Sequence, residues 1–376
     1  MSKFDIGQRW SNDVHLANGG KIPTANDSSV TTDLVAWTKL KYLLQKSVDG
    51  GKLFSTNIGS TYALAAANVY YGGVLASNGE IHFVPYQALV GQKISVSGAV
   101  STYSLIYTTN AGAYAGGVLA PNGDIHFLAS SATRGQKISS SGVVSTYSLV
   151  YTTTDAYFGG VLAPNGDIHF VPNSATRGQK ISAAGVVSTY SLVYTTASAY
   201  TGGILAPNGD IHFAPLYANR GQKISAAGVV STYSLVYTTS TAAYISGVLD
   251  PNGDIHFIPF RATVGQKVSA AGVVSTYSLV YTLSSGAYAG GVLASNGDIH
   301  FVPYQAPVGQ KVSAAGVVST YSLVYTTANM YVGGVLAPNG DIYFVPYLST
   351  IGQIIHTMSA IPFDRGVCCS PHFNKL

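Results

Sequence analysis

Charge is what this 376-residue chain lacks most: Asp, Glu, Lys and Arg make up 9% of it, against roughly 25% in an average soluble protein. The net charge of +4 is thinly spread. It builds no concentrated basic face, which excludes nucleic acid as a partner. Cysteine is almost missing. The two present, Cys368 and Cys369, are adjacent near the C-terminus, so no disulfide framework staples the fold and both read as bystanders. No apolar run approaches the ~20 residues of a membrane helix, so no membrane insertion is expected. The opening MSKFDIGQRWSND has no apolar stretch of the kind a secretory signal needs, and export by that route is not expected.

Glycine (42) and tyrosine (27) are plentiful instead, and they recur in register. A glycine pair followed by an aliphatic pair begins at Gly72, Gly116, Gly159, Gly202, Ser246, Gly290 and Gly333, at steps of about 43–44 residues. A unit of that size cannot bury its own apolar faces, so copies must stack. In the copy AYFGGVLAPNGDIHFVPNSATRGQKISAAGVVSTYSLVYTT, Asn165-Gly166 marks a tight hairpin in which both central residues take positive φ. Ile168–Val171 alternates as a strand and is stopped by proline. Gln179–Ser182 forms a third strand, and Val187–Thr195 a fourth rich in hydroxyls and aromatics. No helical spacing occurs within the unit.

Four antiparallel strands repeated seven times predict an all-β chain, a seven-bladed β-propeller with paired glycines on the crowded innermost strands. A β-solenoid is the rival, and the hairpin signals oppose it. The last copy lacks its fourth strand, whereas Ser60-Thr61-Tyr62-Ala63-Leu64 stands unpaired before the first glycine pair. The reading is an N-terminal arm over 1–59, a propeller over 60–359 closed by a strand within 60–67, and a tail over 360–376. A short helix is expected from about Asp33 to Lys46, with Leu34, Trp37, Leu40 and Leu44 on its apolar stripe. It either packs on the propeller flank or anchors the body to a larger assembly.

Little in the repeat points to chemistry. His82, His126, His169, His212, His256 and His300 recur at one position, with Tyr343 in the seventh copy. Neighbouring histidines on second strands fall roughly 10 Å apart, too far to share a metal. A bond to a strand hydroxyl between blades is expected instead. Turn acids such as Asp124 and Asp167 have too few acidic companions for a calcium loop, so they should bind turn amides. Lys93, Lys137, Lys180, Lys223, Lys267 and Lys311 are read as solubilising charges, with a lysine ring for acidic glycans as the alternative. No nucleophile elbow or phosphate loop is present. The expectation is no enzyme activity, no metal and no cofactor.

The copies differ in one half of their loops only. The Pro-Asn-Gly and Ala-Ala-Gly turns are nearly constant, while the second-to-third loops and the crossovers vary, so one disc face is individual. Loops on a rigid scaffold are where recognition concentrates. Arg134, Arg177 and Arg220 share one position on three successive blades, and Tyr86, Phe260, Tyr304 and Tyr347 occupy another on the remaining arc. Both residue types suit binding hot spots, and tyrosine also stacks on sugars.

The GGVLAPNGDIHFVP…GQKISAAGVVSTYSLVYT unit matches kelch-like and WD-type propellers in blade size only. It more nearly resembles propeller repeats in uncharacterised proteins of tailed bacteriophages and other large viruses. That resemblance implies a non-enzymatic capsid or tail component assembled in the host cytoplasm. Residues 1–59 would join it to other virion proteins as part of an oligomeric assembly, and the propeller would meet a host surface glycan or receptor. The alternatives are a soluble multivalent lectin with similar pockets on several blades, and a divergent propeller enzyme.

Overall fold

The computed structural model describes residues 58–65, 69–109, 112–239 and 241–357, together with the two-residue strands Val14–His15 and Lys21–Ile22. Those two strands pair antiparallel within a unit spanning Met1–Ser55. The expected helix with Leu34, Trp37, Leu40 and Leu44, and Cys368 and Cys369, lie outside the described residues.

The second unit holds seven four-stranded antiparallel sheets. Blades 1 to 6 run over residues 70–104, 114–148, 157–191, 200–234, 244–278 and 288–322. Blade 3 shows the plan: Tyr157–Leu162, Ile168–Pro172, Arg177–Ile181 and Val187–Ser191, bonded in that order. Blade 7 takes Tyr331–Leu336, Asp341–Pro346 and Ile351–His356 from the end of the chain, and its fourth strand is Ile58–Ala63. The pairing runs from Ile58↔His356 to Ala63↔Ile351. The two ends of the ring thus share one sheet.

Space at the hub explains the glycine pair. A Cβ on Gly116 would lie 2.6 Å from the Gly159 Cα, and one on Gly333 would lie 3.0 Å from the Gly72 Cα. On five blades the first glycine, Gly116, Gly159, Gly202, Gly290 or Gly333, abuts its counterpart on the next blade at positive φ, and a side chain there would crowd that backbone. Away from the hub, the blades meet through seven equivalent apolar clusters. In one, Val161 and Val171 of blade 3 pack on Tyr200, Ile211, Phe213 and Ile224 of blade 4. Tyr200 and Phe213 are fully buried, and each such side chain stabilises the interface by about 1.5–3 kcal/mol.

Three side-chain devices recur, and each revises an expectation. The Pro-Asn-Gly turn has positive φ at Gly166 alone, because proline at the first central position holds φ near −65° and forbids the mirror-image turn. Gly166 N–H donates to Ala163 and Ala163 N–H to Asp167. The turn is thus an ordinary one closed by a left-handed glycine. The histidine bond lies within a blade, not between blades: His169 Nδ1 is 3.3 Å from the Tyr190 hydroxyl on the fourth strand. The tyrosine ring crosses Gly178, where a Cβ would meet it at 2.1 Å. The lysines are bound rather than free. Lys180 reaches Asp167 at 2.7 Å, and five other blades repeat the pair. The other Asp167 oxygen accepts from Ala183 N–H, in the third-to-fourth turn.

A fourth device ties blade to blade. Gln222 is fully buried, and its Oε1 accepts from Val193 and Tyr194 N–H of the preceding blade at 3.1 and 2.8 Å. Gln136, Gln179, Gln266, Gln310 and Gln353 make the same double contact. At the seam Gln92 accepts from Ala65. Every one of the seven junctions carries this clasp.

Candidate functional site at the axial mouth

Each second strand ends in a residue that leads into the variable loop: Tyr86, Ser130, Asn173, Leu216, Phe260, Tyr304 and Tyr347 from blade 1 to blade 7. Backbone bonds hold these positions. The carbonyls of Tyr86, Ser130, Asn173, Leu216, Phe260 and Tyr304 each accept an N–H from the entry to the next blade, at 2.6 to 3.0 Å. The side chains thus leave a rigid circle around the axis.

On four consecutive blades those side chains form a continuous aromatic crescent. Ring centroids are 5.5 Å apart for Phe260 and Tyr304, 6.2 Å for Tyr304 and Tyr347, and 6.3 Å for Tyr347 and Tyr86. Two more rings complete it, Tyr71 and Phe158, each preceding a hub glycine. They meet edge to face at 5.5 Å, and Tyr71 also packs on Tyr86 at 5.4 Å and Tyr347 at 6.3 Å. Tyr71 belongs to blade 1 and Phe158 to blade 3, so their contact passes over the hub. The small Ala115 occupies the equivalent place on blade 2. Spacings this short leave no gap between rings.

The opposite arc is polar. Asp155, at φ 51°, takes Ser130 and Ser131 hydroxyls on Oδ1 at 3.4 Å, and its N–H donates to Ser131 Oγ. Asn173 sends Nδ2 to the Tyr200 carbonyl. Burial, then Tyr347 and Asp155, push the Tyr86 phenol up to about 12. Burial, with Tyr86, Tyr347 and Tyr304 around it, pushes Tyr71 far above the usual phenol range. These hydroxyls stay protonated at neutral pH and act as donors. Arg261 stands over Phe260, its Cζ 5.6 Å from the ring centroid, and its buried Nε has no partner among the described residues.

Of the residues singled out in the sequence, Tyr86, Phe260, Tyr304 and Tyr347 are brought together, and Arg134, Arg177 and Arg220 are not. The three arginines are exposed at the starts of their third strands. Their carbonyls accept from the buried Tyr114, Tyr157 and Tyr200 hydroxyls. Valine carbonyls do the same on blades 1, 5 and 6. Tyr71, Phe158, Asp155 and Arg261 escaped sequence reasoning. Among the described residues no three His, Cys, Asp or Glu side chains converge to hold a metal, and no helix is long and apolar enough to cross a membrane.

No protein-family model and no curated protein matches the chain. Solved structures do. One is a streptogramin B lyase, with a TM-score of 0.69 and 20% identity over 81% of this chain and 100% of that one. Virginiamycin B lyase from Staphylococcus aureus gives 0.70 and 16%, over 80% and 99%. The WD40 propeller domain of Doa1 gives 0.62 and 13%, over 81% and 97%. The chain thus has the fold of a seven-bladed β-propeller. The expectation of a non-enzymatic protein is overturned, since two of these rings are lyases. A catalytic set at a propeller mouth draws single residues from blades about 43 residues apart, so it leaves no local motif, and a missing motif excludes nothing. The matches do not bear on the likeness to viral propellers.

Proposed function

We propose that the protein is a ligand-binding propeller whose axial mouth stacks a saccharide on the aromatic crescent. The carrying observation is the unbroken run Phe260, Tyr304, Tyr347 and Tyr86, roofed by Tyr71 and faced by Asp155. Sugar rings have apolar C–H faces that lie on aromatic platforms, and hydroxyl edges that need a carboxylate or amide nearby. Asp155 and the phenols of Tyr86, Tyr304 and Tyr347 supply those edges. The crescent occupies one part of one mouth, which favours a single ligand per ring over the equivalent pockets of a multivalent lectin. A virion role rests on residues 1–59 and on the viral resemblance, and the mouth adds nothing to that case.

Glycan-array screening followed by calorimetric titration tests this. A hit with one site per chain, weakened about 10-fold or more by Tyr347→Ala, supports it. Binding at several equivalents per chain, or untouched by that substitution, overturns it. The lyase neighbours favour a second reading, turnover at the same mouth with Asp155 as the proton acceptor. Incubation with a streptogramin B and mass analysis of the products checks it.

A further inference from the structure

On the nearly constant face of the disc, one departure brings in a charged side chain at a position that is otherwise alanine. The residue before the Pro-Asn-Gly or Ser-Asn-Gly turn is alanine on six blades (Ala76, Ala120, Ala163, Ala206, Ala294 and Ala337) and aspartate on blade 5. On the other blades the turn asparagine caps its own hairpin, as Asn165 Oδ1 does for Asp167 N–H at 3.0 Å. On blade 5 Asp250 takes over that task. Its Oδ1 accepts from Asn252 and Asp254 N–H, both at 2.8 Å. Asn252 is thereby released, and its Nδ2 lies 3.4 Å from Asp250 Oδ2.

That second oxygen also lies 3.4 Å from His256 Nε2, while the Tyr277 hydroxyl is 3.2 Å from Nδ1. Both contacts to Oδ2 are long, so this carboxylate oxygen retains most of its capacity to accept. It opens on a cleft of about 210 Å³ between blades 5 and 6. Asp250, Asn252, His256 and Lys267 form one wall, Gly297, Ser313 and Gly316 the other, and Ile299 and Val312 the apolar floor. The equivalent cleft between blades 1 and 2 holds only about 90 Å³. Lys267 remains paired with Asp254 at 2.7 Å.

We propose that this cleft is a second binding site, for a small polyol of monosaccharide size that presents a vicinal diol to Asp250 and Asn252. One hydroxyl donates to Asp250 Oδ2. Its neighbour accepts from Asn252 Nδ2, and the Ser313 hydroxyl serves the far edge. The site lies on the face opposite the aromatic mouth, and it stands whether or not the mouth binds sugar.

The test is amide NMR on the full chain, titrated with D-glucose, D-mannose and myo-inositol. The expected result is saturable shifts at the Gly297 and Gly316 amides with at least one of the three. Asp250→Ala restores the residue that six blades already carry, so the fold tolerates it. It should weaken that binding about 10- to 100-fold, as loss of a charged hydrogen bond does. Tyr347→Ala at the mouth should leave it unchanged. No saturable shift with any of the three polyols, or equal affinity in Asp250→Ala, overturns the proposal.

Discussion

Acid should unfold this ring in a pH range where the turn acids Asp124, Asp167, Asp210 and Asp254 are still ionised. Burial, reinforced in most cases by a nearby lysine, holds His82, His126, His169, His212 and His300 at about 4. In the unfolded chain each titrates near 6.5. Above that value neither state binds the proton and stability is complete. As pH falls from 6.5 towards 4 the unfolded chain takes up protons that the folded ring refuses, and stability declines. By pH 5 the loss is roughly 1–2 kcal/mol per histidine. Five of them give about 5–10 kcal/mol, comparable with the whole stability of an ordinary domain. For a ring of about 300 residues the melting temperature should therefore drop by about 8–16 °C between pH 7 and pH 5. Scanning calorimetry at constant ionic strength measures it. His256 is lowered by burial too, so His169→Phe removes one of six such sites and should flatten the slope by about a sixth to a fifth. The turn acids Asp124, Asp167, Asp210 and Asp254 do not produce this fall. Burial raises them, but their lysine and amide bonds hold them below the usual carboxylate range, so their contribution is lost only at lower pH. A melting temperature level from pH 7 to pH 5 would refute the buried-histidine account.

Three further outcomes follow from the packing. Gln179→Met keeps the shape but strands Val150 and Tyr151 N–H. Half of that cost is offset by removing a buried Nε2 that has no partner among the described residues, leaving a net loss of about 1–2 kcal/mol and 2–3 °C in melting temperature. Unchanged melting would mean the clasp is dispensable. Gly178→Ala, a substitution that helps most strands, should here cost about 1–3 kcal/mol by driving the Tyr190 ring off His169; urea denaturation with equal or higher stability would dismiss the stacked tyrosine. Deleting residues 1–63 removes the strand that completes blade 7 and exposes the edge of Ile351–His356. The shortened chain should melt well below the full one and associate at lower concentration, and light scattering that shows an unaltered monomer would count against strand closure.

The ring was legible because its cause is local and repeated. A glycine pair every 43–44 residues or so has one good use, a hub where backbones touch, and Gly116 against Gly159 is that use. The turn was misread for an equally local reason: Asn-Gly was taken as the central pair, whereas the asparagine is the second central residue and the glycine closes the turn, on the Ser-Asn-Gly blades as on the Pro-Asn-Gly ones. The glutamine clasp carried a signal that went unused. Blade 7 loses its lysine to Ile354 but retains Gln353, so in Gly-Gln-Lys the glutamine is what the ring requires. The mouth was half visible for a different reason. Tyr86, Phe260, Tyr304 and Tyr347 fall at one repeat position, and any alignment of the copies gathers them. Tyr71 and Phe158 meet only because the ring closes over a small Ala115, a distance no register of the repeat contains. Asp250 lies furthest from sequence logic. One acidic residue in a polar turn reads as surface, and it becomes a candidate site only through a buried histidine six residues on and a cleft supplied by the next blade. Features that the repeat imposes can be read from one copy. Features that use the repeat to bring unlike copies together need the closed disc, and both proposed sites of this propeller belong to that second kind.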